Sequence, residues 1–302
     1  MEPEEEADAE DAECKKGRKH RLEIKLVDKN DTSARLVIEG VDPAFMNSLR
    51  RVIVAEVPAM AIDEVVVIEN SSMLHDEILA HRLGFVPLKT DLDSYNLPEN
   101  CSCKSELGCN LCRASLTLDV EAAGEVRSVY SGDLVSENPN VAPVSSRIPL
   151  VKLAPDQHLK LESYARLGKG ERHAKWQPVS KCAYKHFPKV KISEKECDAC
   201  GKCVEVCPKR VLSLSESGKK LELRNMIECT VCRDCVNACP KSPPAVEVSL
   251  DKDVFVMDIE STGALPIERI VTEAIKVLDG KFESFLEQLA VKKDEASQIA
   301  ES

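Results

Sequence analysis

Eight of the fourteen cysteines in this 302-residue chain fall into two copies of one pattern: CDACGKCVEVCP, starting at Cys197, recurs from Cys229 as CTVCRDCVNACP. Each copy reads C-x2-C-x2-C-x3-C-P. At that spacing the first three thiolates face one cube of iron and sulfide, while the fourth is carried by the following turn to the other cube. The predicted ligand sets are Cys197, Cys200, Cys203 and Cys239 for one 4Fe-4S cluster, and Cys207, Cys229, Cys232 and Cys235 for the second. Two four-thiolate zinc sites are the alternative, but zinc seldom needs two interlocked sets. A second group, CSCKSELGCNLC, brings Cys101, Cys103, Cys109 and Cys112 within twelve residues. Four soft thiolates suit tetrahedral zinc, although the C-x-C pair is tighter than the usual C-x2-C knuckle; unligated or disulfide-forming thiols and a further iron site are the alternatives. Cys14 reads as a spare thiol and Cys182 as a packed or idle one.

Little else in the chain suggests chemistry. No nucleophile paired with a base, Gly-rich phosphate loop or convergent carboxylate cluster stands out, and His20, His75, His81, His158, His173 and His186 are dispersed. Asp91 and Asp93 read as a solvated turn rather than a magnesium site. A non-catalytic role is expected.

These residues need elements to hold them. RLEIKLVD and ARLVIEGV alternate apolar and polar residues and predict two half-buried strands joined by the turn KNDTS. VDPAFMNSLRRVIVAEVP predicts a helix: Asp42 caps it, Pro43 suits its first turn, Pro58 cannot continue it, and Phe45, Leu49, Val52 and Ile53 line one face. EVVVIEN predicts a buried strand, HDEILAHRLGFVP a short helix stopped by a left-handed Gly84, and SLTLDV another strand. GKGERHAKWQP has no periodicity. Between the cysteine copies, VLSLSESGKKLELRN predicts a hairpin turning at Ser217-Gly218, matching that of a two-cluster ferredoxin. AVEVSLDKDVFVMDIEST returns to strand alternation. Finally, Ile267, Val271, Ala274, Leu278, Phe282, Phe285 and Leu289 form a stripe on a helix of roughly 24 residues, with Gly280 marking a bend. Such a stripe must be covered, either by the chain's own sheet or by a partner's helices.

The net charge is −11, but the opening MEPEEEADAEDAE holds eight acidic residues and no basic one, so the body is near neutral. That block cannot bury enough surface to order itself, and a near-neutral body offers no broad electrostatic case for nucleic acid, apart from a local basic patch at 185–195. No run approaches the ~20 apolar residues of a membrane span, and no signal peptide is evident, so the protein is expected to be cytoplasmic and without membrane contact.

NSLRRVIVAEVPAMAIDEVVVIEN and HDEILAHRLGFVPL resemble the alpha-like assembly subunits of multisubunit RNA polymerases, and VFVMDIESTGALPIERIVTEAIKVL is similar to the returning half of their dimerisation domain. The order of parts, with a ferredoxin-like insert, is similar to the archaeal members of that group. The resemblance implies an α+β fold in which a dimerisation domain is split by an inserted mostly-β domain and a ferredoxin-like iron–sulfur domain. The expected organisation is a disordered acidic tail at 1–17, the first half of the dimerisation domain at 18–70 and an inserted domain with the four-cysteine loop at 71–188. A domain with two 4Fe-4S clusters follows at 189–244, then the second half of the dimerisation domain at 245–291 and a flexible terminus at 292–302.

The resemblance further implies that the chain pairs with a smaller RNA polymerase subunit, L, and that the heterodimer is a platform for the two large catalytic subunits. Nucleic acid would be met only through the complex. Asp42 to Val57 would be the principal dimerisation helix, assisted by Leu265 to Ala290, and a charge at Leu49 would weaken pairing. Asn47, Arg50 and Arg51 fall in the shared motif; the two arginines either contact a large subunit or form a solvated helix face. The four-cysteine loop corresponds to a zinc-bearing loop in the eukaryotic counterpart, with a central gap here of five residues. The competing function is a ferredoxin-type electron-transfer subunit of an oxidoreductase. Against it, the duplicated cysteines span only residues 197–239, and no flavin or nicotinamide motif accompanies them.

Overall fold

The computed structural model describes residues 21–105 and 108–300, with side chains as far as residue 290. The acidic tail, Cys14 and His20 lie outside the described residues. In chain order the elements begin with β1 (Glu23–Lys29), β2 (Ser33–Glu39), α1 (Pro43–Ala55), β3 (Ala59–Asn70) and α2 (Asp76–Gly84). Then come β4 (Arg113–Glu121), β5 (Arg127–Tyr130), β6 (Val135–Ser136), β7 (Pro149–Leu153), β8 (His158–Gly168) and β9 (Val179–Ile192). The rest is α3 (Lys202–Glu205), β10 (Leu212–Leu214), β11 (Leu221–Leu223), α4 (Asp234–Asn237), β12 (Val246–Ser261) and α5 (Ile267–Ala300).

The first sheet has the antiparallel order β1-β2-β12-β9, so strands from distant parts of the chain lie side by side, with Ile38 opposite Phe255. Ala34, Ile38, Phe255, Met257 and Ile259 form one wall of a core closed by α1 and the first turns of α5. Helix α1 starts as its sequence dictates. Asp42 accepts a hydrogen bond from the Phe45 N–H at 2.7 Å, and Pro43 occupies the first turn. Its buried face is Met46, Leu49, Val52 and Ile53, while Phe45 stays 40% exposed. The expected face was therefore off by one position: in a helix, neighbours are turned by about 100° and residues 45 and 46 flank its boundary. The expected half-burial of β1 is also corrected. Leu22, Ile24 and Leu26 are 52%, 57% and 57% exposed, because β1 is an edge strand that neither helix covers.

The second sheet, β3-β8-β4-β6, packs with the β5-β7 ribbon and α2 around Met60, Leu79, Leu83, Leu116, Leu118 and Leu161. Strand β3 lies within the stretch expected for the first half of the dimerisation domain, yet it pairs with β8 and belongs to this second sheet. Helix α2 includes Gly84 as its last residue, and the cap is Phe85 at φ −95°, so the expected left-handed glycine stop does not form. The unpatterned stretch after β8 is held by shape rather than periodicity. Trp176 donates from Nε1 to the Arg166 carbonyl at 3.1 Å, its ring fills the space a Cβ on Gly168 would need, and Gly170 sits against the Val54 carbonyl.

Strands β9 and β12 run on past the first sheet. Residues 246–250 of β12 pair with 188–192 of β9 and 255–261 with 179–186, with a register shift between the two runs. The outer half of this ribbon carries the cysteine-rich module, whose core joins Val190, Val246 and Val248 to Cys203 and Leu212. Strands β10 and β11 form the expected hairpin, with Gly218 left-handed at φ 66°. Helix α5 runs to Ala300, past the expected end at Ala290 and through most of the stretch expected to be flexible. Residues 291–300, VKKDEASQIA, contain no Gly or Pro to stop it.

Candidate metal centres

Two small cavities open in the module, each walled by four cysteines. One is lined by Cys197, Cys200, Cys203 and Cys239 together with Leu221, Ala245 and Val246. The other is lined by Cys207, Cys229, Cys232 and Cys235 with Val190, Val211 and Val248, and also by Lys209 and Arg233. Each takes three cysteines from one copy of the motif and the fourth from the other. The backbone explains the convergence. Ala199 (φ 55°) and Gly201 (φ 78°) in the first copy correspond to Val231 (φ 58°) and Arg233 (φ 65°) in the second. Left-handed residues on either side of the second cysteine swing successive thiols to one side. For a β-branched valine that conformation is costly and persists only where the surroundings impose it.

Backbone N–H groups of Val211, Val231 and Ala245 donate to the sulfurs of Cys207, Cys229 and Cys239, each at 3.4 Å. Burial pushes the Cys203 thiol up to about 11, with Cys197, Cys200 and Cys235 adding repulsion. Cys235 is raised by burial and by Cys232, Cys207 and Cys229. Four thiolates in an apolar cavity repel one another and need a positively charged group among them to ionise together. The donor set, the apolar walls and the N–H bonds to sulfur all fit an iron–sulfur cluster.

The third group lies just before β4. The sulfurs of Cys101, Cys103, Cys109 and Cys112 all stand within 4.8 Å of one another. Cys101 to Cys109 is 3.7 Å, Cys103 to Cys112 is 3.9 Å and Cys109 to Cys112 is 3.9 Å. A tetrahedron with 2.3 Å zinc–sulfur bonds has edges of about 3.8 Å, and these three distances fit a site of that size for one metal ion. The Cys109 N–H donates to the Cys112 sulfur at 3.1 Å, and Gly108, at φ 80°, lets the loop close. The Ser105 N–H pulls the Cys103 thiol down to about 7, while burial drives Cys112 up to about 12.

The remaining candidates are structural. Cys182 is half-buried against the first core, away from both cysteine groups, and burial raises its thiol to about 11 against the opposing charge of Arg50. Asp91 accepts from the N–H groups of Asp93 and Ser94, and Asp93 pairs with Arg269 at 2.6 Å, so the pair of aspartates shapes a turn. Arg50 bonds the Asn47 amide oxygen on its own helix at 3.0 Å, and Arg51 is exposed.

The spacing of the cysteines did not reveal how the module is braced. Arg35 on β2 reaches Asp258 at 2.6 Å and also pairs with Glu228, just ahead of Cys229. Lys185 on β9 donates to the carbonyls of Ile227 and Cys229 at 2.5 and 3.1 Å. The ligand loop is thus tied to the first sheet by two cations. No sequence period marks them, since each tie joins residues far apart in the chain.

Helix α5 resolves the question of what covers its stripe. Ile267, Ile270 and Ala274 are buried against the sheet, with Val271 and Leu278 packed beside them. Beyond Gly280 the stripe leaves the molecule: Phe282, Phe285, Leu286 and Leu289 are 62%, 57%, 63% and 49% exposed. Leu49, by contrast, is 6% exposed inside the chain's own core, so it is not part of a free face.

The model of the RNA polymerase Rpb3/Rpb11 dimerisation domain matches residues 35–282, which include the first sheet apart from β1 and the first two residues of β2, and everything between its two halves. The chain is 43% identical over 261 residues to DNA-directed RNA polymerase subunit Rpo3 of Archaeoglobus fulgidus, covering 86% of this chain and 95% of that one. It is 44% identical over 268 residues to the Rpo3 of Methanothermobacter thermautotrophicus, covering 88% and 98%. To the Rpo3 of Pyrobaculum calidifontis it is 41% identical over 270 residues, covering 89% and 97%.

Proposed function

The chain belongs to the RNA polymerase Rpb3/Rpb11 dimerisation-domain family, and from that premise we propose that it is an archaeal alpha-like assembly subunit of the polymerase, in the version whose ferredoxin-like insert carries two 4Fe-4S clusters. In this role it performs no catalysis. It pairs with the smaller subunit L, and the pair forms the platform on which the two large catalytic subunits of DNA-directed RNA polymerase assemble. Nucleic acid is met only through that complex, in the cytoplasm. The observation that carries this reading is the uncovered apolar half of α5, next to α1, in a domain whose family is defined by dimerisation. Burying four such side chains against a partner helix is worth several kcal/mol, at ~1.5 to 3 kcal/mol each.

Cys197, Cys200, Cys203 and Cys239 hold one cluster, and Cys207, Cys229, Cys232 and Cys235 the other; Cys101, Cys103, Cys109 and Cys112 hold zinc. When bound, each group supplies positive charge that lets its thiolates ionise together and cross-links its loop, which makes metal binding part of the folding free energy. The ties from Arg35 and Lys185 carry that order to the first sheet. This favours a structural role, with damage by oxygen loosening the module and hindering assembly; electron transfer to an oxidoreductase is the competing reading.

Co-expression with subunit L tests the pairing. A stable one-to-one complex is expected, and Phe285→Glu should disrupt it while the chain stays folded. Normal pairing by that variant would place the interface elsewhere. For the clusters, serine at all eight positions should release the module and lower polymerase assembly. Unchanged assembly and transcription in the presence and absence of oxygen would remove the regulatory role.

A further inference from the structure

Beside the second cysteine cavity lies a cleft of different character, lined by His186, Val231, Arg233, Ser249, Leu250 and Lys252. Its lining contains two cations and no carboxylate. Among the described residues neither Arg233 nor Lys252 has an acidic partner, while the nearby Asp251 is already paired with Lys189 at 2.5 Å. Strand β1 begins at the same end of the first sheet: Glu23 stands opposite Glu39, Glu39 opposite Val254, and the Gly40 N–H bonds the Asp253 carbonyl at 3.1 Å. Two strand spacings of ~4.8 Å put the start of β1 about 10 Å from the turn that carries Lys252. The sequence that leads into β1 is the chain's densest block of negative charge, with eight carboxylates in residues 2–13, followed by CKKGRKHR. Those eight intervening residues reach up to ~27 Å when extended, more than the distance to the cleft.

We propose that the acidic N-terminal segment, residues 2–13, docks in this cleft, placing carboxylates on Arg233 and Lys252 and covering the surface next to Cys232. Single exposed ion pairs are weak, but several carboxylates meeting two uncompensated cations on an apolar floor of Val231 and Leu250 act together. The chain's own competitor for the acidic block is the basic run at 15–21. Arg233 also lines the second cysteine cavity, so its share of the docking rests on the reading of that site, whereas Lys252 lines the cleft alone.

Zero-length carbodiimide coupling of the full chain, followed by peptide mapping, tests this. Carboxylates of residues 2–13 should couple to Lys252 about fivefold more than to the exposed Lys191 or Lys209, and that preference should vanish as salt rises to about 0.5 M. Acetylation of Lys252 should also be about fivefold faster in a chain lacking residues 2–13, a comparison that does not rely on coupling geometry. Coupling confined to Lys15, Lys16 and Lys19, or spread evenly over surface lysines, would overturn the proposal. So would a Lys252 acetylation rate that ignores the segment.

Discussion

At the residue scale, sulfur placement decides what the chain can hold. The four sulfurs before β4 are close enough to share one ion, and on the proposed zinc reading Cys112→Ser, which removes a buried corner, should drop zinc content from about one ion per chain to near zero. Zinc analysis of the purified variant reads this directly. Chain purified without oxygen should hold about eight irons, and Cys232→Ser about four, because only one interlocked set is broken. A different residue sets a pH dependence. His158 Nε2 lies 2.7 Å from Asp119 and Nδ1 2.9 Å from Glu69, and these bonds, Asp119 first, raise its pKa. A raised folded value means that the clamp is complete below the ordinary histidine pKa of ~6.5 and is lost as pH rises through the higher folded value. An NMR titration should therefore find the imidazole midpoint above 6.5; a midpoint at or below it would mean that the clamp is not formed in solution. The grouping of the cysteines around two cavities was legible in the sequence because a thiol's reach is set by the few bonds between it and the next cysteine. His158 was not, since its two carboxylates come from β3 and β4, 89 and 39 residues away.

At the scale of elements, α1 and α5 divide their tasks. α1 buries Met46, Leu49, Val52 and Ile53 in the chain's own core. Leu49→Glu should therefore destabilise the fold by about 3 kcal/mol or more, through a charge buried without a partner, rather than weaken pairing in a folded chain. Phe285→Glu should do the reverse: an unchanged melting temperature for the isolated chain, and pairing with L weakened about 100-fold, equal to about 3 kcal/mol. Thermal melts and titration calorimetry separate the two. The periodicity showed that α5 carries a continuous stripe, but a stripe has the same period whether it faces a sheet or a partner. What divides it near Gly280 is the end of α1, where Lys281 pairs with Glu56, a long-range contact absent from any local window. The same applies to β1, whose alternation was plain while its exposure depended on how far the helices extend.

At the scale of the whole molecule, the first sheet is assembled from both ends of the chain, and everything between is hung on β3 and on the long ribbon of β9 and β12. The strands and helices at the two ends of the chain were readable from sequence, because each keeps its own local pattern. The seams were not. β3 joins the second sheet and β9 serves both the first sheet and the cysteine module, and strand pairing of that range leaves no mark on either strand alone. The ribbon and the ties from Arg35 and Lys185 make the module an outgrowth of the dimerisation sheet rather than a carrier on a free linker. Such an architecture favours assembly over electron transfer. The most direct test is affinity purification of the tagged full chain from native extract without oxygen, with the recovered subunits identified by mass spectrometry. The two large polymerase subunits and the small partner should be recovered in near-equal amounts with it. Recovery with oxidoreductase subunits, and without the large polymerase subunits, would contradict the assembly role.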